Sequence, residues 1–236
     1  MAGYLSDDIR LRVSKGHVKQ ASVVHKFGAS PEISTAQTAT IWDVPDAEYP
    51  WDAFTSASTV TVDAADVSDV GSVITVVGLD ANYNEIQEDI TLAVQTGNAG
   101  SVSFKRVFRA FVASGTGTNV GNVDVKVATD IVARIRAGKG QTLMSVYTVP
   151  AGKTAYIYKS ATTVQANADV TLQMMQRPDG GVFRIAHQAE VSPNGYEYEF
   201  SFPMKLPEKT DIDVRARANT NNVRCTAVFD LLLIEE

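Results

Sequence analysis

Gly152-Lys153-Thr154 has the residues that close a phosphate-binding loop, in which backbone amides and a lysine cradle a nucleotide. That chemistry needs a glycine at the place of Tyr147 and a helix afterwards, whereas Thr154 to Tyr158 reads as a strand. Gly115-Thr116-Gly117-Thr118-Asn119-Val120-Gly121 approaches a dinucleotide fingerprint but carries one residue too many before its last glycine, and it lies between two strand-like runs. Asp80, Asn82 and Asn84 imitate the start of a calcium loop, yet Glu85 stands where the sharp turn needs glycine and Thr91 where the closing glutamate belongs. The histidines, His17, His25 and His187, show no His-x-x-His spacing, and Cys225 is the single cysteine, so zinc-type ligand pairs are absent from the sequence. No Gly-x-Ser-x-Gly elbow is present. The expectation is a non-enzymatic chain with no catalytic residues, no metal and no cofactor.

The residues left with something to do are cations and large aromatics. Lys105, Arg106 and Arg109 sit in one strand-like run as a basic edge. Such a cluster can grip a phosphate, protect a sheet edge or pair with a neighbour's acids, and protection of an edge is the commoner use. Both tryptophans, Trp42 and Trp51, fall with Tyr49 and Phe54 in a loop-like stretch broken by Pro31, Pro45 and Pro50. A solvated linker does not usually carry so many large rings. Two readings stay open: the rings cap the protein's own sandwich, or they anchor into a neighbouring subunit, where Trp and Tyr are favoured. Trp42, Tyr49, Trp51, Lys105, Arg106 and Arg109 are therefore the candidate partner contacts. Exposed aromatics such as Trp51, Tyr83 and Tyr196 also fit a sugar-stacking surface, although a core position is the preferred reading.

The elements that must position these residues are short β-type runs separated by turn residues from about Thr55 onwards. They include Val73 to Leu79, Ile86 to Val94, Val102 to Val112, Thr154 to Val164, Tyr196 to Phe202 and Val223 to Ile234. Regular short strands with turn signals between them predict an all-β sandwich or barrel. The divisions expected are an extended N-terminal arm over residues 1–54, a first β region over 55–137 and a jelly-roll-like sandwich over 138–236. Arg177-Pro178-Asp179-Gly180-Gly181 and Pro193-Asn194-Gly195 are tight-turn sequences. Tyr196, Tyr198, Phe200 and Phe202 alternate with Glu197, Glu199 and Ser201, which predicts one buried aromatic face and one wet acidic face. Cys225 is expected as a small buried hydrophobe.

Composition narrows the function classes. With 236 residues, the chain can form one large β domain or two small ones. Its net charge of −6 disfavours a broad nucleic-acid surface. One cysteine excludes an intrachain disulfide. No run of about eighteen apolar residues is present, so no membrane partner is expected. Met1 to Arg12 has no apolar signal core, and folding in a cytoplasm is the expectation.

Val24-His25-Lys26-Phe27-Gly28, Thr40-Ile41-Trp42-Asp43 with Tyr49-Pro50-Trp51, Gly78 to Ile86, Phe104-Lys105-Arg106-Val107, Gly140 to Thr154, and Glu208 to Ile212 are blocks with a common likeness. They resemble virion structural proteins of tailed bacteriophages. The resemblance spans most of the chain and implies a particle component without an active site. Placement within the particle follows from the residues. The chain lacks the long helix and mixed α/β layout of a major shell protein and the repeats of a fibre shaft, and an aromatic arm on compact sandwiches suits a clamp across neighbouring shell subunits. The expectation is a virion protein, assembled in the host cytoplasm, that decorates or cements the capsid exterior as a homotrimer bound to the major capsid protein. A tail, collar or baseplate component is the alternative, with a carbohydrate-binding receptor module behind it.

Overall fold

Runs of valine, isoleucine, threonine and aromatic residues favour the pleated, half-buried surface of a sheet, and glycine, asparagine and proline between them turn the chain. The structure, a computed structural model, describes residues 9–115 and 117–235. A short helix, α1 (Ile9–Ser14), leads into β1 (Ala21–Ile33) and the brief β2 (Ala39–Thr40). Seven strands follow: β3 (Ser58–Ala64), β4 (Val73–Leu79), β5 (Glu85–Thr91), β6 (Asn98–Phe104), β7 (Arg106–Ser114), β8 (Val123–Val127) and β9 (Asp130–Ile135). The last seven are β10 (Val146–Thr148), β11 (Lys153–Val164), β12 (Val170–Arg177), β13 (Arg184–Val191), β14 (Tyr196–Leu206), β15 (Asp211–Ala218) and β16 (Val223–Glu235). The protein is all-β, as the spacing predicts.

Strands β3 to β9 pair only among themselves, in a four-stranded sheet of order β6-β3-β8-β9 and a three-stranded sheet β5-β4-β7. The run Val102 to Val112, which reads as one strand, is two. Phe104 pairs with Ser58 in one sheet, while Arg106 pairs with Leu79 in the other, so the chain changes sheets at Lys105. That corner is tight: a Cβ on Gly78 would lie 1.9 Å from the Arg106 carbonyl oxygen.

The remaining long strands form a four-stranded sheet β1-β16-β11-β14 and a second sheet β10-β15-β12-β13, with β2 also on β15. Numbering β1 and β10 to β16 as 1 to 8 gives the orders 1-8-3-6 and 2-7-4-5. This is the jelly roll, eight strands in two interleaved Greek keys. The expected jelly roll over 138–236 therefore lacks its first strand, which residues 21–33 supply. The first β region is an insertion between the first and second strands of that roll.

The extended arm over residues 1–54 is corrected accordingly. Residues 1–8 lie outside the described residues, but β1 pairs along its length with β16, from Ala21 opposite Ile234 to Ile33 opposite Val223. Beyond β1, the chain runs on against the jelly roll. The Ile41 amide donates to the Val214 carbonyl at 2.9 Å, and the Ser145 amide donates to the Ile41 carbonyl at 3.1 Å. Ile33, Trp42, Phe104, Tyr147, Ile157 and Phe229 all belong to one buried cluster that runs through both units.

Candidate functional site: a buried aromatic and arginine junction

Five of the six candidate residues converge where the insertion meets the jelly roll. The proline-broken stretch after β2 cannot form regular secondary structure, so it packs its rings. Trp42, Tyr49 and Trp51 stack edge to face with centroid separations of 5.3 and 4.7 Å, and Trp51 meets Phe183 at 5.4 Å. Each polar ring atom is satisfied inside the protein. Trp42 Nε1 donates to the Ala47 carbonyl at 2.9 Å, Tyr49 Oη to the Val107 carbonyl at 2.7 Å, and Trp51 Nε1 to Asp213 Oδ2 at 2.9 Å. Trp42 is 1% exposed and Trp51 7%. The reading of Trp42, Tyr49 and Trp51 as anchors into a neighbour is thus corrected: these rings fill their own subunit.

Arg106 is also buried and does not form a free basic edge. Its Nε and Nη2 reach the two oxygens of Asp211 at 2.8 and 3.0 Å. Arg177 reaches Asp211 Oδ2 through Nη2 at 2.7 Å, and Thr148 Oγ1 donates to Oδ1 at 2.6 Å. One carboxylate thus holds two guanidiniums, both of which also lie over the Trp51 ring, 5.5 and 5.3 Å from its centroid. Burial works against the charge on Arg106, but the hydrogen bond and charge of Asp211 hold it more firmly protonated than an ordinary arginine. Two residues further along β15, Asp213 receives Trp51 Nε1, Thr40 Oγ1 and Arg215 Nε, the last at 2.8 Å. Full burial raises the Asp213 pKa, and Arg215 opposes that shift.

Lys105 stands half-buried at the mouth of this junction. Its Nζ donates to the carbonyls of Phe54 and Thr55 at 2.9 and 3.0 Å. Burial, then Arg106, lowers its pKa. A cavity of about 260 Å³ opens beside it, lined by Trp51, Tyr83, Arg106, Arg177 and Asp211. The sugar-stacking trio is not assembled here. Tyr83 shares this cavity, but guanidiniums overlie the Trp51 ring, and Tyr196 lies elsewhere, against His187. The junction is a brace: its charges and rings are spent on holding β7 to β15.

Arg109 is the candidate that stands apart. It is exposed, with its guanidinium 5.1 Å from the Phe111 ring centroid and Nη2 donating to Gln141 Oε1 at 3.4 Å. It rims a second cavity of about 550 Å³ between β1 and β7, which also contains Lys26, Phe27, Phe108 and Tyr147. Asp80 is occupied as a turn former, its Oδ1 accepting the amides of Asn82 and Asn84 at 2.8 Å each. Among the described residues, no three His, Cys, Asp or Glu side chains converge as a ligand set.

Sequence reasoning missed the outer edge formed by β13 and β14. His187 stacks on Tyr198 at 4.8 Å and meets Phe200 edge-on at 5.7 Å. Contrary to the expected buried face, Tyr198 is exposed and Phe202 is 91% exposed. The only available signal was Pro203, which marks an edge or a bulge.

No protein-family model matches this chain, and no curated protein matches it. Among solved structures it is similar to the VP2 subviral particle of infectious bursal disease virus, at 10% identity over 92% of this chain and 68% of that one, with a TM-score of 0.23. It is also similar to the Gx strain structure of the same virus, at 8% identity over 91% and 69%, with a TM-score of 0.22. Likenesses at that TM-score carry no weight for function, and the jelly roll stands on this chain's own strand pairing.

Proposed function

We propose that this chain is a non-enzymatic structural protein of a virus particle. Its place is on the capsid exterior, as a trimeric decoration protein bound to the major capsid protein. The observation that carries the proposal is the 1-8-3-6 and 2-7-4-5 strand order, an architecture used by viral capsid proteins and lectins. A fold alone hosts many functions, so the use of the polar residues matters as well. The buried acids and arginines of the junction are engaged with one another, which suits a rigid building block. The similarity of several blocks to tailed-phage virion proteins adds support. Because Trp42, Tyr49 and Trp51 fill their own subunit, the decoration role rests on the braced two-unit body and not on an aromatic clamp.

The test is mass spectrometry of purified particles followed by reconstruction. Density for this chain on the outer shell is expected, and shells lacking it should break at lower temperature. Density on the tail axis would overturn the decoration role while keeping the particle role. Absence of the chain from purified particles would overturn both.

A further inference from the structure

We propose that the acidic aromatic edge of β14, centred on Phe202, docks into the cleft between β1 and β7 of a second copy of this chain. This deepens the self-association contained in the reading above and rests on it.

The first half of the interface is a knob. Strand β14 ends the sheet β1-β16-β11-β14 and, among the described residues, pairs on one side only. Its register jumps: Glu199 faces Lys159 and Met204 faces Ile157, so Phe200 to Pro203 bulge away from the single Tyr158. Pro203 adds no amide to the edge. Bulges, prolines and charges commonly protect a strand edge from stray pairing. Protection does not explain why the bulge carries a phenylalanine nine-tenths in water on a strand that also exposes Tyr198. Glu197 is tied to Lys159 at 2.6 Å, and Glu199, opposite the same lysine, has no direct ion pair of its own among the described residues.

The second half is the cleft of about 550 Å³, walled by Phe27, Phe108, Phe111 and Val77. Among the described residues its basic groups have no carboxylate partner: Lys26 Nζ donates to the Phe108 carbonyl at 2.6 Å, and Arg109 reaches a neutral amide. Glu85, the acid in the lining, is held by Lys153 at 2.6 Å. The buried Tyr147 hydroxyl has no hydrogen-bond partner among the described residues. Buried polar groups are nearly always paired, so an unused hydroxyl in a cleft rimmed by the Arg109 guanidinium marks a place for an incoming acceptor. Apolar walls with those groups suit an aromatic ligand that carries a carboxylate. Phe202 with Glu199 has that chemistry.

The two halves cannot meet within one molecule. β1 and β14 are opposite edges of the same sheet, three strand spacings apart, or roughly 14 Å. Knob and cleft on opposite edges generate a head-to-tail contact, which closes as a ring or runs on as a filament. A three-membered ring is the closed form that matches a trimer.

The experiment is sedimentation velocity of the full chain across micromolar concentrations, with circular dichroism confirming that each variant is folded. Phe202→Ala and Arg109→Glu should each weaken association by roughly tenfold or more. Mixing these two variants should restore a dimer and nothing larger, because one supplies an intact cleft and the other an intact knob. Glu199→Arg combined with Arg109→Glu should recover part of the parental association. Association unchanged by Phe202→Ala would overturn the proposal, as would a mixture that stays monomeric. A monomeric parent chain would overturn it too. None of these results touches the particle role, which is tested on the virion itself.

Discussion

At the residue scale, the least comfortable group is Lys26. Burial, with Arg109 adding to it, pulls its amine from 10.5 down to about 7. The unfolded chain therefore binds more protons than the folded one between those values, and stability rises with pH across that window. Melting scans from pH 6 to 10 should show this rise in the parent and a flatter profile in Lys26→Met; parallel profiles would mean that Lys26 titrates normally. Cys225 is simpler. Burial pushes its thiol up to about 12, so a maleimide should label it only after denaturation, and rapid labelling of the native protein would contradict its place in the core. The sequence made Cys225 legible because apolar neighbours flank it on β16. Asp211 and Asp213 were not legible. They alternate with Ile212 and Val214 as surface charges would; Arg106 from β7 and Arg177 from β12 offset the burial of Asp211, and Arg215 of β15 itself, with Trp51 and Thr40, that of Asp213.

At the element scale, period two is a statement about one strand, while burial depends on what lies across the sheet. β4 was read residue for residue, Val73 to Leu79, because both of its neighbours are present and its apolar residues pack. β14 reads more strongly amphipathic and is less buried, because it has one neighbour and bulges away from it. Phe202→Ala should therefore change stability by no more than about 0.5 kcal/mol. Phe104→Ala, at the fully buried corner, should cost about 3–5 kcal/mol. Denaturant titration of both variants checks the contrast, and equal losses would place Phe202 inside. Gly78→Ala tests the corner from the backbone side. The added methyl meets the Arg106 carbonyl oxygen, not a movable side chain, so a loss of about 1–3 kcal/mol is expected from overpacking. β1 escaped sequence reading because Lys26, Gly28 and Pro31 interrupt its apolar pattern. Gly28 is required there, since a Cβ would lie 2.3 Å from the Ile41 carbonyl oxygen.

At the scale of the whole molecule, the two β units are joined by buried polar bonds as well as by packing. Arg106 to Asp211 is one, Tyr49 to Val107 another, and Arg136 to Asp43, at 2.8 Å, a third. Removing Arg106 leaves the buried Asp211 carboxylate with Arg177 and Thr148 alone. Arg106→Ala should cost about 3 kcal/mol and broaden the thermal transition as the units begin to melt separately, whereas a sharp, unshifted transition would show that packing alone couples them. The all-β class was plain from the strand rhythm, but the order of the jelly roll was not, because its first and last strands lie at opposite ends of the chain. That arrangement has a consequence for synthesis. A nascent chain exposes β1 early, yet its partner β16 leaves the ribosome about 190 residues later, which at ordinary elongation rates is roughly 10–40 s. Meanwhile β3 to β9 can close on one another as they emerge, and β1 waits as an open edge for a strand not yet made. A chain stopped before Val223 should therefore accumulate as insoluble protein with an intact insertion, so fidelity of assembly begins with how quickly translation finishes.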